Sequence, residues 1–289
     1  MKLRLPSSLA ATAAALAAGT ALLTFAGPAA ADMHMETSAP SLDEVLADER
    51  RADDRDRDRY RNPAETLAFF QVEPTMTVAE YGPGGGWYTR VLAPYLMPQG
   101  PYIAFNADSD GGNYRDRASE ARAKGWTERF KTDLAESMDV EADAVMAFEV
   151  DEMPEELAGT VDRVLIFRSM HGLANSNKAD DVLDAARMML SDDGMVGVVQ
   201  HRAPADASFD DYNPAPGYMK TDQVVAIFEA NGFELVDSSE VNANPNDPAD
   251  WEGGVWTLPP TLRYGDEDRA RYMAIGESDR MTLLFRKAD

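Results

Sequence analysis

Two histidines carry the first chemical signal in this chain. His171 and His201, with His34, are the three histidines of a 289-residue sequence, and each of the two stands just past a short apolar run, at 161–167 and 194–200. An imidazole titrates near neutral pH, so it can take a proton from a reacting group. Arg168 and Arg202 stand beside them, and a guanidinium presents a planar fork of donors to a carboxylate or carbonyl oxygen. If the two runs are neighbouring strands, all four side chains meet in one crevice, as a candidate base with cations to hold an acidic or carbonyl-bearing acceptor. Taken singly, a histidine after a strand also serves as a capping or core hydrogen-bonder. It is the pair in matching positions that points to catalysis. His34 lies in the N-terminal tail and is set aside.

The second signal is Glu80-Tyr81-Gly82-Pro83-Gly84-Gly85-Gly86-Trp87, directly after the strand-like run 77–81. Without side chains at Gly82, Gly84 and Gly86, a ligand can press against bare backbone and a helix N-terminus. A dinucleotide fingerprint would place its third glycine where Trp87 sits, and a phosphate loop needs Gly-Lys-Ser/Thr, which is absent. What remains is acid-x-Gly-x-Gly-x-Gly. No zinc set is legible in three histidines, no cysteine and no His-Glu-x-x-His, and a Gly-x-Ser-x-Gly elbow is missing. Asn106-Ala107-Asp108-Ser109-Asp110-Gly111 opens like a calcium loop, but its twelfth position is Arg117 where a glutamate is required. No metal is expected.

Seven strand-like runs, at 77–81, 102–105, 144–150, 161–167, 194–200, 233–241 and 281–287, have to position these residues. Helical patterns fall between them at 87–96, 114–137, 178–190 and 221–231, the last stopped by Gly232. Such alternation predicts an α/β fold: a Rossmann-like, doubly wound, mostly parallel seven-stranded sheet. The last two strands, with no helix between them, form an antiparallel C-terminal edge pair. Ligands bind such sheets beyond the carboxyl ends of the strands, where strand order reverses.

Around this domain the chain has three other regions. Residues 1–31 read as an export signal, with Lys2 and Arg4 before an apolar stretch at 9–25 and Ala29-Ala30-Ala31 at the cleavage point. Residues 32–60 form a charged N-terminal arm whose run 48–59 alternates sign at helical spacing, as a solvated helix or loose arm would. The domain proper is read as 61–289, opening on the helix start Asn62-Pro63-Ala64-Glu65. Residues 204–218 and 242–278 are long connections, the second an insertion holding Trp251 and Trp256 that serves as a lid or as a plain structural flap. An excess of 51 acidic over 27 basic residues, net −24, leaves no basic stripe for nucleic acid and repels anionic membranes. The absence of cysteine suits an oxidising compartment, periplasmic or extracellular.

The ordered set Asn62-Pro63-Ala64-Glu65-Thr66-Leu67-Ala68-Phe69-Phe70, the glycine loop with Trp87-Tyr88-Thr89, Phe167-Arg168-Ser169-Met170-His171, His201-Arg202-Ala203 and Asp279-Arg280-Met281-Thr282-Leu283 resembles the class I S-adenosylmethionine-dependent methyltransferases. Within them it looks like an exported bacterial branch of predicted methyltransferases. The resemblance covers most of the chain after residue 31. It implies S-adenosylmethionine as cofactor, with Glu80 facing its methionine end and Gly82, Gly84 and Gly86 lining its aminocarboxylate and ribose. The family places an acid at the end of the second strand to hold the ribose hydroxyls; here Asn106 stands there, so that role falls to Asp108, displaced by two residues. Asp151, after the third strand, is implied near the adenine amino group, although a solvated loop charge reads the same way. The expected partner is a small-molecule acceptor, or a protein side chain, with no nucleic acid and no stable membrane association once the signal is removed. Because the cofactor is made in the cytosol, a second class stays open: a non-catalytic binder of an adenosyl or other small ligand on the same fold.

Overall fold

The computed structural model describes residues 39–110, 112–207 and 216–288. The export signal, His34 and the middle of the 204–218 connection lie outside the described residues. Helices α1 (Leu42–Ala47), α2 (Asp58–Arg61) and α3 (Pro63–Phe69) precede β1 (Val78–Tyr81). Then come α4 (Thr89–Leu96), β2 (Tyr102–Asn106), α5 (Arg117–Lys124), α6 (Trp126–Met138), β3 (Met146–Glu149), β4 (Val161–Phe167), α7 (Met170–Ser176), α8 (Ala179–Met189) and β5 (Leu190–His201). The chain ends with α9 (Thr221–Ala230), β6 (Phe233–Ser239), α10 (Arg269–Ile275) and β7 (Arg280–Lys287).

The strands form one sheet in the order β3-β2-β1-β4-β5-β7-β6. Pairings among β1 to β5 are parallel, and β7 is antiparallel to both β5 and β6. The fold is therefore Rossmann-like and doubly wound, with the antiparallel C-terminal edge pair the sequence pattern predicts. Successive side chains point to opposite faces: Val164 and Ile166 enter one core layer with Ile103, Phe105 and the α8 side chains Val182 and Leu183. Leu165 and Phe167 enter the other with Leu92, Leu96 and Phe70. Covered on both sides, these strands read as continuous apolar runs.

Three features depart from the sequence reading. The helix expected over 114–137 is broken at Gly125 into α5 and α6. The short α7, rich in Gly, Asn and Ser and so weak in helix propensity, starts directly after β4 and carries His171. The charged arm departs most from the expectation of a wholly solvated or loose segment: Glu49, Arg50, Asp53, Asp56 and Arg59 are exposed, but other positions are held. Arg51 is 0% exposed, its guanidinium donating to the Leu46 carbonyl and to both oxygens of Asp58, while Asp54 accepts from Arg90 and Arg57 reaches Glu277. The compact unit takes in the chain from Ala39 onward. Among the described residues no helix is long and apolar enough to cross a membrane.

Candidate active site

Strand order reverses between β1 and β4, and the glycine loop lies where β1 ends. Gly82, Gly84 and Gly86 have φ of 55°, 58° and 74°, a left-handed backbone that costs an L side chain roughly 1–2 kcal/mol. The Gly82 N–H donates to the Phe105 carbonyl at 2.9 Å, tying the loop to the end of β2. A Cβ added at Gly82 would come no nearer than 3.5 Å to Ser169 Oγ, at Gly84 it would meet only the Gly82 carbonyl at 3.8 Å, and at Gly85 nothing within 4 Å. The loop is thus bare toward open space and is not glycine for lack of room. Gly86 differs: a Cβ there would strike Arg90 Nη1 at 2.8 Å.

Two adjoining cavities open on this loop. One, of about 480 Å³, is lined by Tyr81, Gly82, Gly84, Asn106, Trp126 and the start of α7. The other, of about 410 Å³, takes in Glu80, residues 82–85, Tyr88, Phe167, both histidines and, from the far end of the chain, Trp256, Pro259, Pro260 and Glu277. Gly82, Gly84, Arg168, Ser169 and His171 line both. The 242–278 insertion therefore walls the cavity through Trp256, whose ring meets that of His171 edge-on at 5.9 Å, while its other tryptophan, Trp251, packs on Tyr272 away from it.

The pairing of β4 with β5 brings the two histidines together. Their rings lie 5.7 Å apart. His201 Nδ1 sits 2.6 Å from Ser278 Oγ, and His171 Nδ1 lies 3.3 Å from the Gln200 amide nitrogen, which also donates to the Gly217 carbonyl. Burial holds both imidazoles below their ordinary pKa; for His201 the neighbouring Arg280, Arg168 and His171 push further down, whereas the Gln200 contact partly opposes the effect at His171. Both are neutral at neutral pH and able to accept a proton.

Glu80 is 2% exposed, and its Oε2 accepts from the hydroxyls of Tyr102 at 2.6 Å and Thr89 at 2.9 Å. Burial nevertheless drives its pKa up from 4.5 to about 7, against those two hydrogen bonds. A raised acid weakens the fold once the unfolded chain ionises and the folded one does not, so the penalty appears above pH 4.5 and stops growing at about pH 7. We expect Glu80→Gln to match the wild type in thermal stability at pH 4 and to exceed it by up to about 3 kcal/mol at pH 8. An offset between the two melting curves that does not change with pH would contradict the assignment.

Arg168 follows β4 with φ of 55°, its N–H donating to the Val199 carbonyl at 2.6 Å. Burial, followed by the nearby Arg280, brings its pKa down to about 10. Arg202 does not join it: its guanidinium is held by Asp279 and Glu240, and it lines neither cavity. Asp108 and Asp151 also line neither cavity. They gather with Glu149, carboxylate oxygens within 4.8 Å of one another, beside the Ser109 N–H that donates to Glu149. At the end of β2 it is Asn106 that faces the larger cavity. The sequence reading missed Arg57, Arg61 and Glu277, which line the smaller cavity. The i, i+4 spacing of Arg57 and Arg61, which puts them on one helical face, was the available signal.

No family model matches the sequence, and no curated protein matches it. Among solved structures the chain is similar to an S-adenosylmethionine-dependent methyltransferase from Aquifex aeolicus, with 17% identity over 70% of this chain and 94% of that one and a TM-score of 0.47. It is also similar to a putative sarcosine dimethylglycine methyltransferase from Galdieria sulphuraria, with 13% identity over 85% and 89% and a TM-score of 0.48. A third is the Aeropyrum pernix fibrillarin with natively bound S-adenosyl-L-methionine, with 11% identity over 79% and 76% and a TM-score of 0.43. At such identities the likeness extends to the fold, which the strand order establishes independently.

Proposed function

We propose that this protein is an S-adenosylmethionine-dependent methyltransferase acting on a small-molecule acceptor outside the cytoplasm. The observation that carries this reading is the bare, left-handed glycine loop at the switch point, open to two adjoining cavities whose shared wall holds His171. The residues present fit such a cofactor: flat Trp126 and the amide of Asn106 suit an adenosine, and Glu80 suits an ammonium. When bound, the cofactor supplies a methyl carbon already activated by its sulfonium. The chain aligns an acceptor and removes its proton. Each ring takes that proton at Nε2 in the tautomer whose Nδ1–H donates, at His201 to Ser278 Oγ and at His171 to Gln200 Oε1. Ser278 and Gln200 keep the two rings oriented.

Calorimetric titration of the purified protein with S-adenosylmethionine and S-adenosylhomocysteine tests the reading. We expect saturable heat with both, and none at millimolar ligand overturns it. Asn106, where the resemblance leads one to expect an acid, favours the second reading of a non-catalytic binder. Binding without loss of a labelled methyl group, across acceptor mixtures, would establish that reading instead. Removal of residues 1–31 on export is part of the proposal, and N-terminal sequencing of protein recovered outside the cytoplasm should begin at Asp32.

A further inference from the structure

The arginines that line the smaller cavity differ in one respect. Arg57 and Arg61 are engaged by Glu277, and Arg90 by Asp54. Arg61 Nη1 is buried without a hydrogen-bond partner, as is Arg168 Nη1, but Arg168 has neither a hydrogen-bond nor an ion-pair partner for any part of its guanidinium among the described residues. Leaving a buried cation unpaired is costly. The residue bears a second cost in its left-handed backbone, and such costs gather where a ligand is held.

We infer that Arg168 is the seat for an oxyanion, a carboxylate or phosphate, carried by a flat small acid that occupies the cavity of about 410 Å³. The surrounding charge agrees. Glu277 is shared by Arg57, Arg61 and Arg280, and Glu80 is the other carboxylate in the lining, so two acids stand against Arg57, Arg61, Arg168 and Arg280. Within a protein of net charge −24 this recess is locally positive. Beside these charged groups the lining offers flat apolar surface: Tyr88, stacked on Phe167 with ring centroids 3.5 Å apart, Trp256, Pro259 and Pro260. The volume lies within the range of small-molecule sites. An acid seated on Arg168 accepts from the unused N–H donors of the guanidinium fork and lies in the cavity that both imidazoles line. The inference rests on the methyltransferase reading only in calling this acid the acceptor.

The probes are para-hydroxybenzoate, its neutral match para-hydroxybenzamide, and phenyl phosphate, each titrated into protein saturated with S-adenosylhomocysteine. We expect at least one of the two anions to bind about tenfold or more tighter than the amide. That preference should shrink at high salt. Arg168→Gln should remove it while changing the S-adenosylhomocysteine affinity by less than about twofold. Both substitutions used here keep a Cβ on the same backbone. If Arg168→Gln fails to melt cooperatively, Arg168→Lys replaces it, with reduced preference expected because the charge stays and the fork is lost. Carboxylate and phosphate sources are separated by which anion binds more tightly. An amide that binds as well as both anions, or no anion binding while S-adenosylhomocysteine binds, overturns the inference alone. Equal loss of S-adenosylhomocysteine in Arg168→Gln also overturns it, by assigning Arg168 to the carboxylate of the cofactor. Anion binding without any S-adenosylhomocysteine binding leaves the oxyanion seat standing and overturns the methyltransferase reading.

Discussion

Gly84→Val is expected to weaken S-adenosylhomocysteine binding by about 100-fold or more. Gly84 lines both cavities, and its φ of 58° is one a β-branched residue adopts only with strain. The added Cβ meets no protein atom closer than the Gly82 carbonyl at 3.8 Å, and because Gly84 lines both cavities the side chain enters ligand space. Stability should therefore fall by only about 1–2 kcal/mol, a loss visible as a small drop in melting temperature. Calorimetry and thermal unfolding on the same preparation separate the two effects. Unchanged affinity would show that the loop does not touch the ligand, and the functional proposal would go with it.

The second large effect is on the fold. Glu277 is 4% exposed and receives Arg57, Arg61 and Arg280 at 2.7, 3.0 and 3.3 Å. Glu277→Gln keeps the shape and removes the only carboxylate these three cations share among the described residues. Breaking a buried pair from one side costs about 3–5 kcal/mol because the other side stays charged. In a domain of this size that corresponds to a drop on the order of 10 °C in melting temperature. Adding Arg61→Met to Glu277→Gln should recover part of the loss, since it removes one of the stranded charges. A melting temperature within about 1 °C of wild type for Glu277→Gln would mean that water or rearrangement compensates the cluster.

Much of this architecture was legible beforehand because its causes are local. Apolar runs separated by helical patterns dictate a sheet covered on both faces, and the pairing of β4 with β5 made His171 and His201 neighbours as their matching positions imply. The glycine spacing marked the loop, though only the structure shows left-handed backbone at all three positions. What sequence could not show was pairing between distant charges. The alternating run 48–59 has the composition of a solvated face, yet Asp54 and Arg57 find partners in Arg90 and Glu277, while Arg51 pairs within the run with Asp58. Arg202 sits one residue from His201, but strand alternation turns it to the other face, where Asp279 and Glu240 take it. Asp108 and Asp151 follow strands β2 and β3, as a ribose or adenine contact requires, but neither lines either cavity, and they gather with Glu149.

The wall of the smaller cavity joins Arg57 and Arg61 to Glu277 across 220 and 216 residues of chain. Joining residues so far apart carries a loop-closure entropy that grows only slowly with separation. Glu277 stands just before β7, the strand set between β5 and β6, so the segment that completes the sheet also closes the chamber, and a chain cut before residue 277 has the glycine loop without either. Ligand affinity in this protein is thus a readout of completed synthesis as well as of correct chemistry.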